Sequence, residues 1–294
     1  MSAQSTYQLT RIAPTPSGYL HIGNVLSFAI TAALAERSGA KILLRIDDLD
    51  QQRVMPQYVQ DIFDTLNFLE IQWHMGPRNY QEYKSDWSQL HRLDSYQKAL
   101  QQLKDEGHVF ACTCSRSLIK KLTADETYPG ICLDKNIPFD TGGACWRIKT
   151  DERQLSVNTF NGVVQAHLTA DANYFIVRKK DGFAAYQLAS VIDDINFGVD
   201  LIVRGQDLWS STLAQLFLAE KLKKQGLLNN VFHHHALLTN LNGDKLSKSA
   251  GDTSIQSLRK QGKTAADIYT AIATAMGFND PVNSWQQLAQ LINV

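Results

Sequence analysis

Ala13-Pro14-Thr15-Pro16-Ser17-Gly18-Tyr19-Leu20-His21-Ile22-Gly23-Asn24 is the stretch that decides the fold. Before it, Tyr7–Ile12 is a short strand-like run, and Pro14 and Pro16 hold Ala13 and Thr15 extended. Gly18 is expected to supply a bend that a side chain would resist. After it, Ile22, Leu26, Ile30 and Leu34 recur with alanines at helical spacing and predict a helix over 22–38. Strand, turn and helix in succession put Gly23 near a helix N-terminus, where free N–H groups and the dipole attract an anion. With no side chain, Gly23 leaves that approach open, and His21 can hydrogen-bond a phosphate oxygen from the same turn. Taken alone, the stretch also reads as an ordinary strand–turn–helix with His21 as a surface or capping residue, and that reading outweighs the phosphate one.

A second segment reverses the balance. Asn242-Gly243-Asp244 is a turn signal, followed by Lys245-Leu246-Ser247-Lys248-Ser249. One turn can present Lys245 and Lys248 to the same side, where they would stabilise charge moving onto a leaving pyrophosphate. A solvated Lys/Ser loop is the bland alternative. Between the two segments strand-like runs at 41–46, 175–178 and 201–204 alternate with helical patterns at 56–69, 85–106 and 210–223. Alternation of this kind predicts an α/β fold with a doubly wound, mostly parallel sheet.

Residues 109–173 break the alternation with cysteines, Pro/Gly turns and short alternating runs such as 157–168. The expected organisation is a first catalytic half at 1–108, an inserted subdomain at 109–173, a second catalytic half at 174–250 and a helical part at 251–294. The clearest late helices are expected at 265–276 and 284–292. Charge is balanced, with 29 basic and 29 acidic residues in 294, so any RNA contact has to come from a local basic patch. The N-terminus lacks the apolar core of a signal peptide and no run is long enough to span a membrane. The expectation is a cytoplasmic protein with no membrane partner, whose four cysteines are free or metal-bound rather than paired.

Cys112-Thr113-Cys114 and the later Cys132 offer three sulfurs, one ligand short of a closed zinc site. Three unrelated buried thiols fit the same spacing. Cys145 stands apart and reads as a small buried residue. His233-His234-His235 sits in a strand-like run, where adjacent side chains alternate faces and cannot all reach one ion. A structural role is expected for it.

In their order, the two basic and glycine-bearing segments resemble the ATP-binding signatures of class I aminoacyl-tRNA synthetases. More closely, residues of roughly 8–250 resemble a bacterial-type glutamyl-tRNA synthetase core, and above all the glutamyl-Q tRNA(Asp) synthetases. The motifs that carry this are Arg11–Gly18, Leu44-Arg45-Ile46-Asp47-Asp48-Leu49-Asp50, Ala185-Tyr186-Gln187-Leu188-Ala189, Val191-Ile192-Asp193-Asp194, Ile202-Val203-Arg204-Gly205 and Lys245-Leu246-Ser247-Lys248. The resemblance implies a Rossmann-type fold of the class I synthetases with an inserted zinc-containing subdomain. It implies ATP binding by Pro16, Gly18, His21, Gly23, Asn24 and Lys248, with His21, Lys245 and Lys248 catalytic and magnesium carried on the ATP. Glutamate would be held by Arg11, Ala13, Thr15, Asp47, Tyr186 and Arg204, the arginines taking carboxylates and Asp47 the ammonium group. In the glutamyl-Q family a tyrosine four residues before the last cysteine completes the zinc set, which implies Cys112, Cys114, Tyr128 and Cys132.

Two positions depart from the family pattern. Asn24 stands where most class I synthetases have His; the glutamyl-Q enzymes often carry a small polar residue there. Asp47 stands where glutamate-specific members usually have Glu, which leaves glutamine open. Only 44 residues follow Ala250, too few for the helical anticodon-reading domain of longer relatives. The resemblance therefore implies a monomer that activates glutamate without tRNA and attaches it to the queuosine of tRNA(Asp). The alternatives are a compact glutamyl- or glutaminyl-tRNA synthetase charging a 3′ end, a non-RNA nucleotidyltransferase of the same superfold, and an inactive paralogue acting as a binding module.

Overall fold

The computed structural model describes residues 6–125, 127–238 and 254–294. Lys245 and Lys248 lie outside them. In chain order the elements are β1 (Leu9–Ile12), α1 (Ile22–Ser38), β2 (Lys41–Leu44), α2 (Pro56–Phe68), the single turn α3 (Tyr80–Glu82), α4 (Leu93–Asp105), β3 (Val109–Cys112), α5 (Arg116–Leu122) and β4 (Cys145–Ile148). They continue as β5 (Leu155–Thr159), β6 (Gly162–Ala166), β7 (Ile176–Arg178), α6 (Tyr186–Phe197), β8 (Leu201–Gly205), α7 (Trp209–Lys221), α8 (Gln225–Leu228) and β9 (Val231–His235). The last helices are α9 (Ile255–Lys260), α10 (Ala265–Ala275) and α11 (Trp285–Leu291). The chain divides into two compact units, one of Met1–His91, Leu201–Gln206 and His233–Val294, the other of Arg92–Asp200 and Asp207–Phe232.

In the first unit β1 pairs in parallel with β2 on one side and β8 on the other, with Leu9 opposite Lys41 and Thr10 opposite Leu201. Every residue of β1 and β8 is buried, as parallel strands covered on both faces require. The helix α1 follows β1 and packs on β1, β2 and β8. Its alanines and larger apolar residues bury it almost all round from Val25 to Ala35. Gly39 ends it in the left-handed conformation, with φ 74°, and its N–H bonds back to Ala35 and Glu36. The C-terminal helices α10 and α11 then lie against α1, and the Tyr269 hydroxyl donates to the Leu69 carbonyl at 2.7 Å.

The helix expected over 85–106 is broken, and Asp48 is the reason. Its fully buried carboxylate accepts from the Tyr83 hydroxyl (2.6 Å), the Ser88 hydroxyl (2.5 Å) and the Gln89 N–H (2.8 Å). Satisfying one buried charge with three donors from a single segment bends that segment into a π-turn at Tyr83–Trp87 and a 3-10 turn at Gln89–Arg92. Only from Leu93 does a regular helix run.

In the second unit β3, β4 and β7 form an antiparallel sheet. The run at 175–178 was expected in the parallel sheet, and its pairing corrects that expectation. Short apolar strands carry no mark of which sheet they join; here the Ile148 N–H donates to the Phe175 carbonyl and Arg147 to the Tyr174 carbonyl, zipping β7 to β4. The β5–β6 hairpin pairs in parallel with the start of β9, Asn158 opposite Val231. Helices α4, α6 and α7 pack together in this unit. Asp193 of α6, fully buried, takes a two-pronged ion pair from Arg92 (2.8 and 3.0 Å) and the Tyr96 hydroxyl at 2.7 Å. Among the described residues, no helix is long and apolar enough to cross a membrane.

Candidate nucleotide and amino-acid site

The first unit gathers most of the expected site residues at one end of its parallel strands. The β1–β2 ladder runs past the strands themselves: Arg45 N–H donates to the Ile12 carbonyl at 2.9 Å and Asp47 N–H to the Pro14 carbonyl at 3.0 Å. In this register Ala13 stands level with Arg45 and Thr15 level with Asp47. The β1–β8 register likewise carries Arg204 level with Ala13. Side chains alternate along a strand, so Arg11, Ala13, Arg204, Arg45 and Asp47 share one face of three adjacent strands. They stand at the carboxyl ends, where open α/β sheets bind ligands.

Arg11 and Arg204 are buried at 6% and 4% exposure. An Nη of Arg11 donates to the Val203 carbonyl at 3.1 Å, which ties the two arginines' strands together. Asp47 is held by Arg45 through two bonds, 2.6 Å from Nε and 3.0 Å from Nη2. Ala13 and Gly18 are half-buried, Thr15 is exposed and Pro16 is buried.

The turn into α1 is a reciprocal cap. His21 is the N-cap residue: its Nδ1 accepts from the Gly23 N–H at 3.1 Å, and Asn24 Oδ1 accepts from the His21 N–H at 3.1 Å. This gives the departure at Asn24 a physical role, because Asn reaches back to the cap backbone. His21 is thus a capping residue, and the cap orients its ring. With Nδ1 accepting, the ring proton sits on Nε2, a hydrogen-bond donor. Gly23 gives the ring room, since a Cβ there would stand 3.0 Å from His21 Cε1 and 3.1 Å from Nδ1 and would press the ring aside. Gly18 corrects its expectation. It has no positive φ, and a Cβ would meet nothing within 4 Å. Steric demand from the protein does not explain glycine there.

In the second unit the Sγ atoms of Cys112, Cys114 and Cys132 all lie within 4.8 Å of one another. Cys114 and Cys132 stand with their sulfurs 3.4 Å apart, well beyond a disulfide bond. The Tyr128 hydroxyl accepts from the Cys132 N–H at 2.9 Å. Arg147 stacks its guanidinium 3.8 Å above the Tyr128 ring. Cys145 does not stand apart: it lies opposite Cys112 across β3–β4, buried in the same cluster. Hydrogen bonding with Cys145 lowers the Cys112 thiol and raises that of Cys145. Burial pushes Cys114 up to about 12 and Tyr128 upward as well. A set of soft sulfur donors with one phenol, closed off from water, suits a thiophilic cation that neutralises them. The residues present fit a metal ion.

The profile of tRNA synthetases class I (E and Q), catalytic domain, matches residues 9–284. The chain belongs to this family. Among its relatives, the glutamyl-Q tRNA(Asp) synthetase of Pseudomonas aeruginosa (strain LESB58) is 35% identical over 239 residues, covering 81% of this chain and 76% of that protein. The enzyme of the same name from Nitratidesulfovibrio vulgaris is 32% identical over 286 residues, covering 91% and 86%. The crystal structure of glutamate-tRNA synthetase from Elizabethkingia anophelis superposes with a TM-score of 0.76 at 20% identity, over 96% of this chain and 65% of that one. The parallel sheet with its helices is thus the class I synthetase fold.

Within this class I fold the remaining site residues fall elsewhere. Tyr186 opens α6 in the second unit, 44% exposed. The three histidines diverge: His235 Nε2 accepts from the Ser27 hydroxyl of α1 at 2.7 Å, its Nδ1 donates to the Ala236 carbonyl, and His234 feels the charge of Arg204. Burial holds His233 and His234 neutral, pushed down to about 4. Sequence reasoning missed Arg45, which lies in the quoted Leu44–Asp50 motif and holds Asp47; a cation two residues from a buried acid on one strand face was the available signal.

Proposed function

We propose that this chain activates glutamate with ATP as glutamyl-adenylate and transfers the glutamate to the queuosine of tRNA(Asp). One observation carries the reading: Arg11, Arg204 and Asp47 share a face at the ends of three parallel strands, in the same unit as a helix start whose histidine is oriented by its own cap. Two buried guanidinium groups suit the two carboxylates of glutamate, and Asp47 suits its ammonium group. Tyr186 adds a hydroxyl to the substrate. The names of the relatives support the acceptor.

In the first step a glutamate carboxylate oxygen attacks the α-phosphorus of ATP, and the bond from that phosphorus to the bridging oxygen of pyrophosphate breaks. Positioning and charge stabilisation suffice, since no proton has to move. The α1 N-terminus with Gly23 and the Nε2–H of His21 meets phosphate oxygens, and the open space at Gly18 leaves Pro16 and Gly18 to line the nucleotide. Lys245 and Lys248 stabilise the departing pyrophosphate. Magnesium carried on ATP would supply phosphate charge neutralisation. In the second step an acceptor hydroxyl attacks the activated carbonyl, loses its proton and displaces AMP. Cys112, Cys114, Tyr128 and Cys132 would hold zinc, which would fasten the insertion.

ATP–pyrophosphate exchange with glutamate, glutamine and aspartate, each with and without total tRNA, tests this. Exchange with glutamate alone, followed by mapping of labelled glutamate to the anticodon loop, is the expected result. Exchange only with tRNA, or only with glutamine, overturns it in favour of 3′-end charging. Lys248→Ala abolishes exchange and leaves the melting temperature unchanged.

A further inference from the structure

Asp61, on α2, belongs to none of the motifs, yet it is a carboxylate only 3% exposed. Its two oxygens have different partners. Oδ2 accepts from the Leu20 N–H at 3.2 Å, and Oδ1 accepts from Arg259 Nη2 on α9 at 2.5 Å. Leu20 is the residue immediately before the His21 cap. Its carbonyl is held too, by the Ile255 N–H at 2.8 Å, and His21 pairs with Ser254 in an antiparallel bridge. Ser254 in turn caps α9 by accepting from the Ser257 N–H at 3.1 Å. Arg259 is steadied by Asp64 at 3.9 Å and by the Phe68 ring at 5.9 Å.

The connections form a closed ring: Asp61 to the Leu20 N–H, the Leu20 carbonyl to Ile255, along α9 to Arg259, and back to Asp61. Every member lies in the first unit. A buried ion pair is a poor source of stability, because desolvating both charges offsets most of their attraction. An apolar pair of the same volume would hold α2 against α9 as well. What an apolar pair cannot do is grip a backbone N–H from one side while its neighbouring carbonyl is gripped from the other.

We infer that Asp61 is a positioning residue of the nucleotide site, fixing the peptide before His21 by joining Leu20 to Arg259. The inference rests on the proposed ATP chemistry. A displacement of the cap by as little as 1 Å is enough to cost about a hundredfold in a positioned reaction. Loss of the ring therefore reaches ATP through His21, while the arginines at the strand ends still hold the amino acid.

The test compares wild type with Asp61→Asn, Asp61→Leu, Arg259→Lys and Arg259→Met. Three readouts are taken: exchange kinetics with glutamate, ATP affinity by calorimetry without amino acid, and thermal melting. Asp61→Leu and Arg259→Met are expected to raise the KM for ATP by about tenfold or more. The KM for glutamate stays within about twofold, while the melting temperature falls, because each variant leaves one member of a buried ion pair without its partner. Arg259→Lys, which keeps the charge, restores the ATP KM, and Asp61→Asn, which keeps the bond to Leu20 alone, falls between. A joint rise of both KM values makes Asp61 merely structural and overturns the inference, as do unchanged kinetics. If wild type shows no exchange, the functional reading fails on its own, and calorimetry decides: weaker ATP binding by Asp61→Leu supports the role, while equal binding, or none by wild type, overturns it.

Discussion

The His21–Asn24 turn and the Cys112–Cys132 cluster both prepare a place for a charged guest, and they do so by opposite means. The turn is made of consecutive residues whose polar groups are already bonded to their own helix. Its positive end comes from backbone dipoles, which exist whether or not an anion is bound. The cluster draws side chains from β3 and from a loop further along the chain, and its sulfurs crowd within 4.8 Å of one another. Ionised thiols packed that closely repel unless a cation sits among them. A guest at the turn is therefore expected to change chemistry more than stability, and a guest at the cluster stability more than chemistry.

Arg204→Ala breaks the contrast on the side of chemistry. Exchange is expected to fall by about 10²–10³-fold, roughly 3–4 kcal/mol of transition-state stabilisation, with metal content and the fold of the second unit intact. Cys112→Ser does the reverse. It lowers metal content by elemental analysis and destabilises β3 and β4 by about 2–3 kcal/mol, read by hydrogen exchange in those strands. Wild-type protein without zinc removes that expectation.

Gly23→Ala sharpens the comparison. Its Cβ meets the His21 ring, so exchange falls by about tenfold, as for a misplaced catalytic group. Stability changes by less than about 1 kcal/mol, because the helix propensity gained offsets the cap lost. A matched loss of both would mean that the turn is only scaffold. A pH titration of melting probes His233 and His234, held neutral at about 4 against an ordinary 6.5. The unfolded chain takes up their protons first, so the stability they contribute is complete above pH 6.5 and is lost as pH falls from 6.5 towards 4. Replacing both by Asn flattens that slope. Gly18→Ala has the smallest effect on stability, within about 0.5 kcal/mol, since nothing in the protein opposes the methyl group; a fall in ATP affinity would show that the nucleotide needs the space.

How much of this was legible in the sequence follows from range. The helix expected at 22–38 is found at Ile22–Ser38 because its apolar spacing, the turn before it and Gly39 after it are all local. The Cys-x-Cys pair was likewise visible by spacing, whereas Tyr128 came only from the family resemblance. The buried acids were not. Asp48 serves donors at Tyr83, Ser88 and Gln89, Asp61 serves Leu20 and Arg259, and Asp193 serves Arg92 and Tyr96. No periodicity encodes such a pairing, because the partner is chosen by the fold and not by the spacing. Asp48 even overrides the local helical pattern around Ser88. Arg45 shows the intermediate case, in which the motif was noticed but the bond inside it was not.

The helix α1 carries one further consequence. Its first turn presents the cap and the following ten residues are almost entirely core. A rigid rod of this kind transmits displacement along its axis instead of absorbing it, since close packing over most of its surface leaves little slack. Repacking near Ala32 or Ala33 should therefore surface as a defect in nucleotide use before it surfaces as unfolding. Selection acting on catalysis would then police interior methyl groups far from any substrate, and tolerance to mutation along α1 would be set by turnover more than by thermal resistance.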